Sequence, residues 1–398
     1  MRKMKKESKK NKENIDKIKH SPVYAMSLGS KELFHSNFWW WLMNENKNFV
    51  NVFFDNDIIK ADSVKKIERE KNHCDITIYT DDGMYVIENK IKSVPMNEQL
   101  EKYSKYKKFK VGVLTGLQLE KPKNITASGW EYKPYNDIIA KIRKQLSGID
   151  DNVKRKVAEM YCDDFGRLCE IISNKLSADC IEWDFSDAEE LEVIRFADAY
   201  KKLKTEIIRS KLIENISIKD GDTISNGEYT FKIETAYSHK EPLISFKFIY
   251  GYKDRVKNVY SIGIQIQKDK LIRYAETEQG GINLFSGGYD GFFKSFANRK
   301  WFDENYAPNK KHIQFSFKDG TEEYVTNMTP KKGTGNKQHK EEFTYNAYND
   351  FVYQQIIIPD KNIAALAKEI KKHLEYAQKI IEESKDEIFI IRSNSFKK

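Results

Sequence analysis

Cysteine is scarce in this chain. There are four, Cys74, Cys162, Cys169 and Cys180. None forms a C-x-x-C pair and no signal peptide precedes them, which points away from a disulfide framework and toward a reduced cytoplasm. Cys162 and Cys169 lie seven apart on an expected helix and read as core packing rather than a metal site. Long apolar runs are missing as well. No stretch approaches 18 residues, so no membrane-spanning segment is expected. Phosphate-binding glycine loops are also absent. Gly280 to Phe296 carries Gly-Gly pairs and Gly333-Thr334-Gly335-Asn336-Lys337 is glycine-rich. Neither reads G-x-x-x-x-G-K-[ST] after a strand, which excludes a P-loop. No internal repeat is visible.

Positive charge is in surplus. The 398 residues carry a formal net charge of +9. That balance fits a polyanionic partner without requiring one. Much of it sits between Met1 and His20, with Lys5, Lys6, Lys9, Lys10 and Lys12 and almost no large apolar residues. Residues 1–22 are therefore expected to form a flexible basic arm, either a solvated tail or a phosphate-binding arm.

The most informative segment is a hairpin. His73 to Thr80 reads as a strand, Asp81-Asp82-Gly83 as a turn, and Met84 to Lys90 as the returning strand. The turn brings Asp75 back beside Glu88. Side chains alternate along a strand, so Glu88 and Lys90 share a face. Two carboxylates and an ammonium then meet at one end of a small sheet. Such a set can hold a divalent cation and set a positive charge beside the group under attack.

The pattern D…E-x-K, here Asp75…Glu88-Asn89-Lys90, resembles that of the PD-(D/E)XK nuclease superfamily. Gln99-Leu100-Glu101-Lys102-Tyr103 is similar to the Q-x-x-x-Y motif of RecB-like members. The segment from Lys31 to Leu42 resembles the helix that opens one subgroup of bacterial members. Cys74 stands where the proline of the superfamily name would be. The motif-bearing match covers about residues 28–115.

The resemblance implies phosphodiester hydrolysis on a restriction-endonuclease-like αβββαβ core, a mixed sheet flanked by helices. It implies that Asp75, Glu88 and Glu32 ligate Mg²⁺, with Mn²⁺ able to substitute. Lys90 would stabilise charge on the phosphate or activate water, and Gln99 and Tyr103 would flank the scissile phosphate. DNA is the expected substrate and restriction or phage defence the expected setting, with a homodimer or partner proteins of a defence system as company. Two alternatives stay open, a nucleic-acid-binding or assembly subunit with a retired nuclease core and an RNA-directed nuclease.

Periodicity organises the rest. Ser30 to Asn44 is an apolar helix, with Glu32 and His35 one turn apart near its start. His35 reads either as a core histidine or as part of a substrate or metal shell. Asp62 to Lys71 is a charged edge strand. In it, Glu68 and Glu70 read as solvated face residues more readily than as site residues. Pro95 to Phe109 carries Gln99 and Tyr103 on one helix face. Lys110 to Thr115 suits a buried strand parallel to the hairpin, followed by a strand at Trp130 to Tyr135. Helices are expected at Ile138 to Leu146, at Asp151 to Leu176 with Val157, Met160, Tyr161, Phe165, Leu168 and Ile172 on one side, and at Asp187 to Asn215.

Residues 23–180 thus form the expected nuclease core. Residues 181–398 form an α+β domain with an antiparallel sheet, serving substrate recognition or dimerisation. Its strands are Tyr229 to Ile233, Leu243 to Phe248 and Tyr260 to Ile266. Thr329 to Lys340 is an expected loop, and Pro359 to Ser384 an amphipathic helix. Tyr289, Phe292, Phe293, Lys294, Arg299, Lys300 and Trp301 read either as a stacking surface for nucleic acid or as ordinary core.

Overall fold

A computed structural model describes residues 2–27, 32–55, 58–71, 73–91, 97–106, 108–118, 121–122, 125–176, 182–224, 228–238, 241–250, 260–267, 270–277, 301, 312–316, 322–326, 351–357 and 360–383. The chain divides into two compact units, one of residues 1–181 and 185–207, the other of 182–184 and 208–398.

The first unit begins with α1 (Arg2–Lys19), α2 (Pro22–Ser27) and α3 (Glu32–Glu45). Strands β1 (Val64–Lys71), β2 (Cys74–Thr80) and β3 (Met84–Lys90) follow, then α4 (Asn97–Tyr106), β4 (Gly112–Gly116) and β5 (Trp130–Pro134). Helices α5 (Tyr135–Gln145) and α6 (Asn152–Lys175) complete the layer, and α7 (Ala197–Glu214) comes after a 3-10 segment at Ser186–Ile194. The sheet order is β1-β2-β3-β4-β5. The first three strands pair antiparallel, while β3-β4 and β4-β5 pair parallel. A parallel return needs a crossover, and α4 supplies it. From α3 to β4 this is the expected αβββαβ order in a mixed sheet flanked by helices.

Local chemistry explains these elements. The Thr80 backbone N–H donates to Gly83 O at 2.9 Å, and its hydroxyl donates to Asp82 Oδ1 at 2.5 Å, closing the β2–β3 turn. Asp151 caps α6 by accepting from the N–H groups of Val153 and Lys154 at 2.8 and 2.9 Å. Trp39, Ile76, Ile87, Val113, Tyr135 and Phe165 share one core with α3, α5 and α6. Val86, Leu100, Leu114 and Trp130 pack on the opposite face, under α4. Strand β3 therefore lies between two apolar layers, as a near-continuous apolar run predicts.

The second unit holds β6 (Thr223–Ile224), β7 (Tyr229–Ser238), β8 (Glu241–Tyr250), β9 (Tyr260–Gln267), β10 (Lys270–Thr277), β11 (His312–Ser316), β12 (Glu322–Thr326), β13 (Phe351–Ile357) and α8 (Ile363–Glu383). Six strands form a sheet in the order β13-β10-β9-β8-β7-β6, each pair antiparallel. Gly263 sits where a Cβ would come within 2.6 Å of Phe246 O, so this close strand approach requires glycine.

Four expectations change. The basic arm is a helix, because Ile15 and Ile18 are buried in the first unit's core and Asn14 donates to Glu170 of α6 at 3.2 Å. Two apolar residues a helical step apart outweighed the charge-rich composition. The helix expected over 187–215 is broken, since Arg195 adopts φ +55° and caps the 3-10 segment before α7 starts. Ala188, Leu191, Phe196 and Tyr200 pack into the first unit's core, which carries that unit past the boundary expected at residue 180. Val157 is exposed on α6, while Ala158, Cys162 and Cys169 are buried.

Trp301 is buried, and its indole N–H donates to Tyr274 O at 3.1 Å, so it is core rather than an open stacking surface. The other residues of that aromatic-basic group, Gly280 to Phe296, Thr329 to Lys340 and Cys180 lie outside the described residues. Cys74, Cys162 and Cys169 are buried thiols, none of them in a disulfide. No helix among the described residues is long and apolar enough to cross a membrane.

Candidate active site

Strand β3 ends in a buried charged pair. Glu88 and Lys90 are 4% and 8% exposed, and Lys90 Nζ lies 2.8 Å from Glu88 Oε1. Alternation turns both toward the α4 face, and Gln99 of α4 meets them, its Nε2 3.4 Å from Glu88 Oε1. The same Gln99 amide donates to the Tyr103 hydroxyl one turn on. The Tyr103 ring lies parallel to the exposed His73 ring, at 9° and 6.4 Å between centroids.

Asp75 enters from β2. The last paired residues of the β2–β3 ladder are Ile76 and Ile87, so Asp75 and Glu88 stand where the ladder opens. Side chains replace the missing rungs there. Asp75 Oδ2 accepts from the Asn89 backbone N–H at 2.7 Å, and the Glu88 carboxylate accepts from the Asp75 backbone N–H. Glu32, the first residue of α3, is half-buried, and its charge acts on Asp75, Glu88 and Lys90 alike.

Charge is out of balance in this cluster. Burial, then the neighbouring charge of Glu88, push the Asp75 carboxyl up to about 7, against the opposing Asn89 N–H and Lys90. Burial also raises Glu88, while Lys90 pulls it back. Burial disfavours the Lys90 charge, but Glu88, Glu32 and Asp75 outweigh it and hold the lysine above its ordinary value. Three carboxylates thus face one ammonium.

Fit to a divalent cation follows from this donor set. Two buried carboxylates, with Glu88 raising the pKa of Asp75 and Glu32 that of Glu88, are hard oxygen donors with uncompensated charge, the kind of set that a small hard cation relieves. Among the described residues no group of three or more His, Cys, Asp and Glu side chains is gathered to hold a metal on its own. A cation that keeps several waters and takes substrate phosphate needs only one or two carboxylates, so Asp75 and Glu88 suffice.

All six residues singled out from the motifs therefore belong to one neighbourhood. His35 does not. It is fully buried, its Nδ1 lies 2.9 Å from the Tyr161 hydroxyl, and burial lowers its pKa to about 3, so it is a neutral core residue. Glu68 pairs with Lys66 at 2.6 Å and Glu70 is exposed.

No motif in the sequence singles out Asn89 as a site residue. Its buried amide meets α3, β4 and α5 behind the charged pair. The available signal was a polar residue on the face of β3 that Tyr85 and Ile87 mark as core.

No curated protein and no solved structure matches the chain. A family model does match residues 23–113, the stretch that runs from α2 into β4 and contains Glu32, Asp75, Glu88, Lys90, Gln99 and Tyr103. Across residues 23–113 the chain is therefore similar to the PD-(D/E)XK nuclease superfamily, whose family model this stretch matches.

Proposed function

We propose that this protein is a Mg²⁺-dependent nuclease that hydrolyses phosphodiester bonds of DNA. The observation that carries the reading is the convergence of Asp75, Glu88 and Lys90 where the β2–β3 ladder opens, with Gln99 alongside. Asp75 and Glu88 would hold the cation, with Glu32 adding negative charge beside them. When bound, the cation supplies Lewis acidity and lowers the pKa of water.

The chain's own groups account for the rest. Lys90 stays protonated among the carboxylates, so it presents a fixed positive charge where negative charge builds on the phosphate. It sits on the ion pair with Glu88 before substrate arrives, so its ammonium is already placed. Gln99 and Tyr103 form a short chain of donors leading from Glu88 along α4, suited to hold phosphate oxygens on either side of the bond to be cut. Hydrolysis breaks one P–O bond, and water supplies the new oxygen.

The net charge of +9 suits a nucleic-acid substrate. DNA, a role in restriction or phage defence, a cytoplasmic setting, and a homodimer or defence-system partners follow from the motif resemblance. The second unit is the proposed substrate-recognition or dimerisation module.

The test is to incubate the full chain with supercoiled plasmid, linear duplex, single-stranded DNA and RNA, in Mg²⁺, Mn²⁺ or EDTA, beside Lys90→Ala. Metal-dependent cleavage lost in the variant is the expected result. Cleavage that survives EDTA or Lys90→Ala overturns the assignment. Cleavage of RNA alone would move the substrate from DNA to RNA.

A further inference from the structure

We propose that Asn89, the middle residue of Glu88-Asn89-Lys90, is a positioning residue that sets the Glu32 carboxylate against the Asp75–Glu88 pair and so tunes the site's affinity for a divalent cation. The inference rests on the proposed reading that Asp75 and Glu88 hold such a cation.

Alternation along β3 sends Glu88 and Lys90 to the α4 face and Asn89 to the opposite one, behind Tyr85 and Ile87. Asn89 is 1% exposed. An amide in such a place must find partners, and it finds them on three elements. Its Nδ2 donates to the carbonyl oxygen of Glu32 at 3.0 Å and reaches the Ser36 hydroxyl at 3.5 Å, both on α3. Its Oδ1 accepts from the Tyr135 hydroxyl of α5 at 2.5 Å and from Thr115 of β4 at 3.4 Å. A carbonyl oxygen only accepts, so the Glu32 contact fixes which end of the amide faces α3. The backbone N–H of the same residue donates to Asp75 Oδ2 at 2.7 Å.

One residue thus holds both ends of the carboxylate set. Its main chain fixes Asp75, and its side chain fixes the residue that carries Glu32. Glu32 acts on Asp75, Glu88 and Lys90 through its charge, which depends on distance. Releasing the Nδ2 bond frees the first turn of α3 to move that charge. The Asn89 main-chain bond to Asp75 needs only the backbone N–H, which Asn89→Ala keeps, so the two functions of the residue can be separated.

Asn89→Ala, Glu32→Ala, the double variant and Tyr135→Phe, all in the full chain, test this. The primary readout is Mn²⁺ binding by calorimetry, with the melting temperature and the Mg²⁺ concentration for half-maximal cleavage beside it. Asn89→Ala should weaken Mn²⁺ binding about tenfold, as loss of an outer hydrogen-bonding partner of a metal ligand does. Glu32→Ala should weaken it similarly, and the double variant should be no weaker than Glu32→Ala. Tyr135→Phe removes a single hydroxyl and serves where Asn89→Ala does not fold. It should weaken binding by a smaller factor, and that factor should vanish in the Glu32→Ala background.

A purely structural role would lower the melting temperature and leave these couplings at zero. Wild-type affinity in both Asn89→Ala and Tyr135→Phe, or effects that multiply with Glu32→Ala, overturns the proposal. Coupling in Mn²⁺ binding without any cleavage would sustain it while the nuclease reading fails. Metal-dependent cleavage without coupling would sink it alone.

Discussion

The backbone N–H of Asn89 donates to the Asp75 carboxylate at 2.7 Å, just past the last paired residues of the β2–β3 ladder. The bond favours the ionised form. Burial and the charge of Glu88 favour the neutral form more strongly, and they win, leaving Asp75 at about 7. The site is therefore built with a cost that a cation can remove.

A pH dependence of stability with a defined sign follows. An aspartate in an unfolded chain titrates near ~4. The folded value lies above that, so between the two the folded state binds more protons, and stability falls as pH rises from about 4 through about 7. In EDTA the melting temperature should drop more between pH 5 and pH 8 in the wild type than in Asp75→Asn. On the proposed reading Mg²⁺ binds the ionised form, so it should raise the wild-type melting temperature more at pH 8 than at pH 5. Parallel wild-type and Asp75→Asn profiles would show that Asp75 carries no such cost.

Lys90→Ala should slow hydrolysis by about 100-fold or more, as removal of a preorganised charge at the phosphate does. A second signature belongs to the ion pair. Lys90 lowers the Glu88 pKa by its charge and its hydrogen bond. Without it Glu88 protonates more easily, and the acid limb of the single-turnover rate profile should move to higher pH. A lowered rate with an unmoved acid limb would separate Lys90 from Glu88 in solution.

Gln99 sits between Glu88 and Tyr103, so the two α4 substitutions should differ. Gln99→Ala removes a donor to a buried carboxylate and should change both rate and Mn²⁺ affinity. Tyr103→Phe keeps the ring beside His73 and loses only the hydroxyl, so the rate should fall by about 10- to 100-fold, the value of one hydrogen bond to a charged group, with metal affinity unchanged. Equal losses of metal affinity in both would place Tyr103 at the cation instead of the phosphate.

The hairpin was readable because its signals are local. Asp-Asp-Gly closes the turn, and the apolar run of β3 ends in charge at the residues where the strand itself ends. The order from α3 to β4 was readable for the same reason. What escaped the sequence is long-range. Asn89 takes partners on α3 and α5, elements distant along the chain, and no spacing rule connects them. In α1, Asn11, Asn14, Ile15 and Ile18 are buried in a segment whose composition is that of a solvated tail. The break at Arg195 is a backbone conformation on a residue with no turn preference.

The second unit offers a prediction independent of any activity. Arg273 is fully buried. Its Nε and Nη2 lie 3.1 and 2.8 Å from His373 Nδ1, and its Nη1 donates to Trp301 O at 2.9 Å. A guanidinium only donates, so His373 Nδ1 is unprotonated and the ring proton sits on Nε2, 3.1 Å from Glu369 Oε1. A neutral imidazole thus links a buried cation to a carboxylate. Burial, then the Arg273 charge, lower the His373 pKa to about 4, although Glu369 opposes them, and the His373 bond holds Glu369 at about 2. Both values lie below the unfolded ones. The linked stability is present above about pH 6.5, where an unfolded histidine is neutral, and is lost as pH falls through about 4. His373→Leu leaves the guanidinium without this acceptor and should cost about 1–3 kcal/mol in urea denaturation at pH 7.5. The difference from wild type should shrink as pH is lowered toward 4, because protonating His373 removes the same acceptor. A constant difference across that range would mean that the ring does not accept from Arg273.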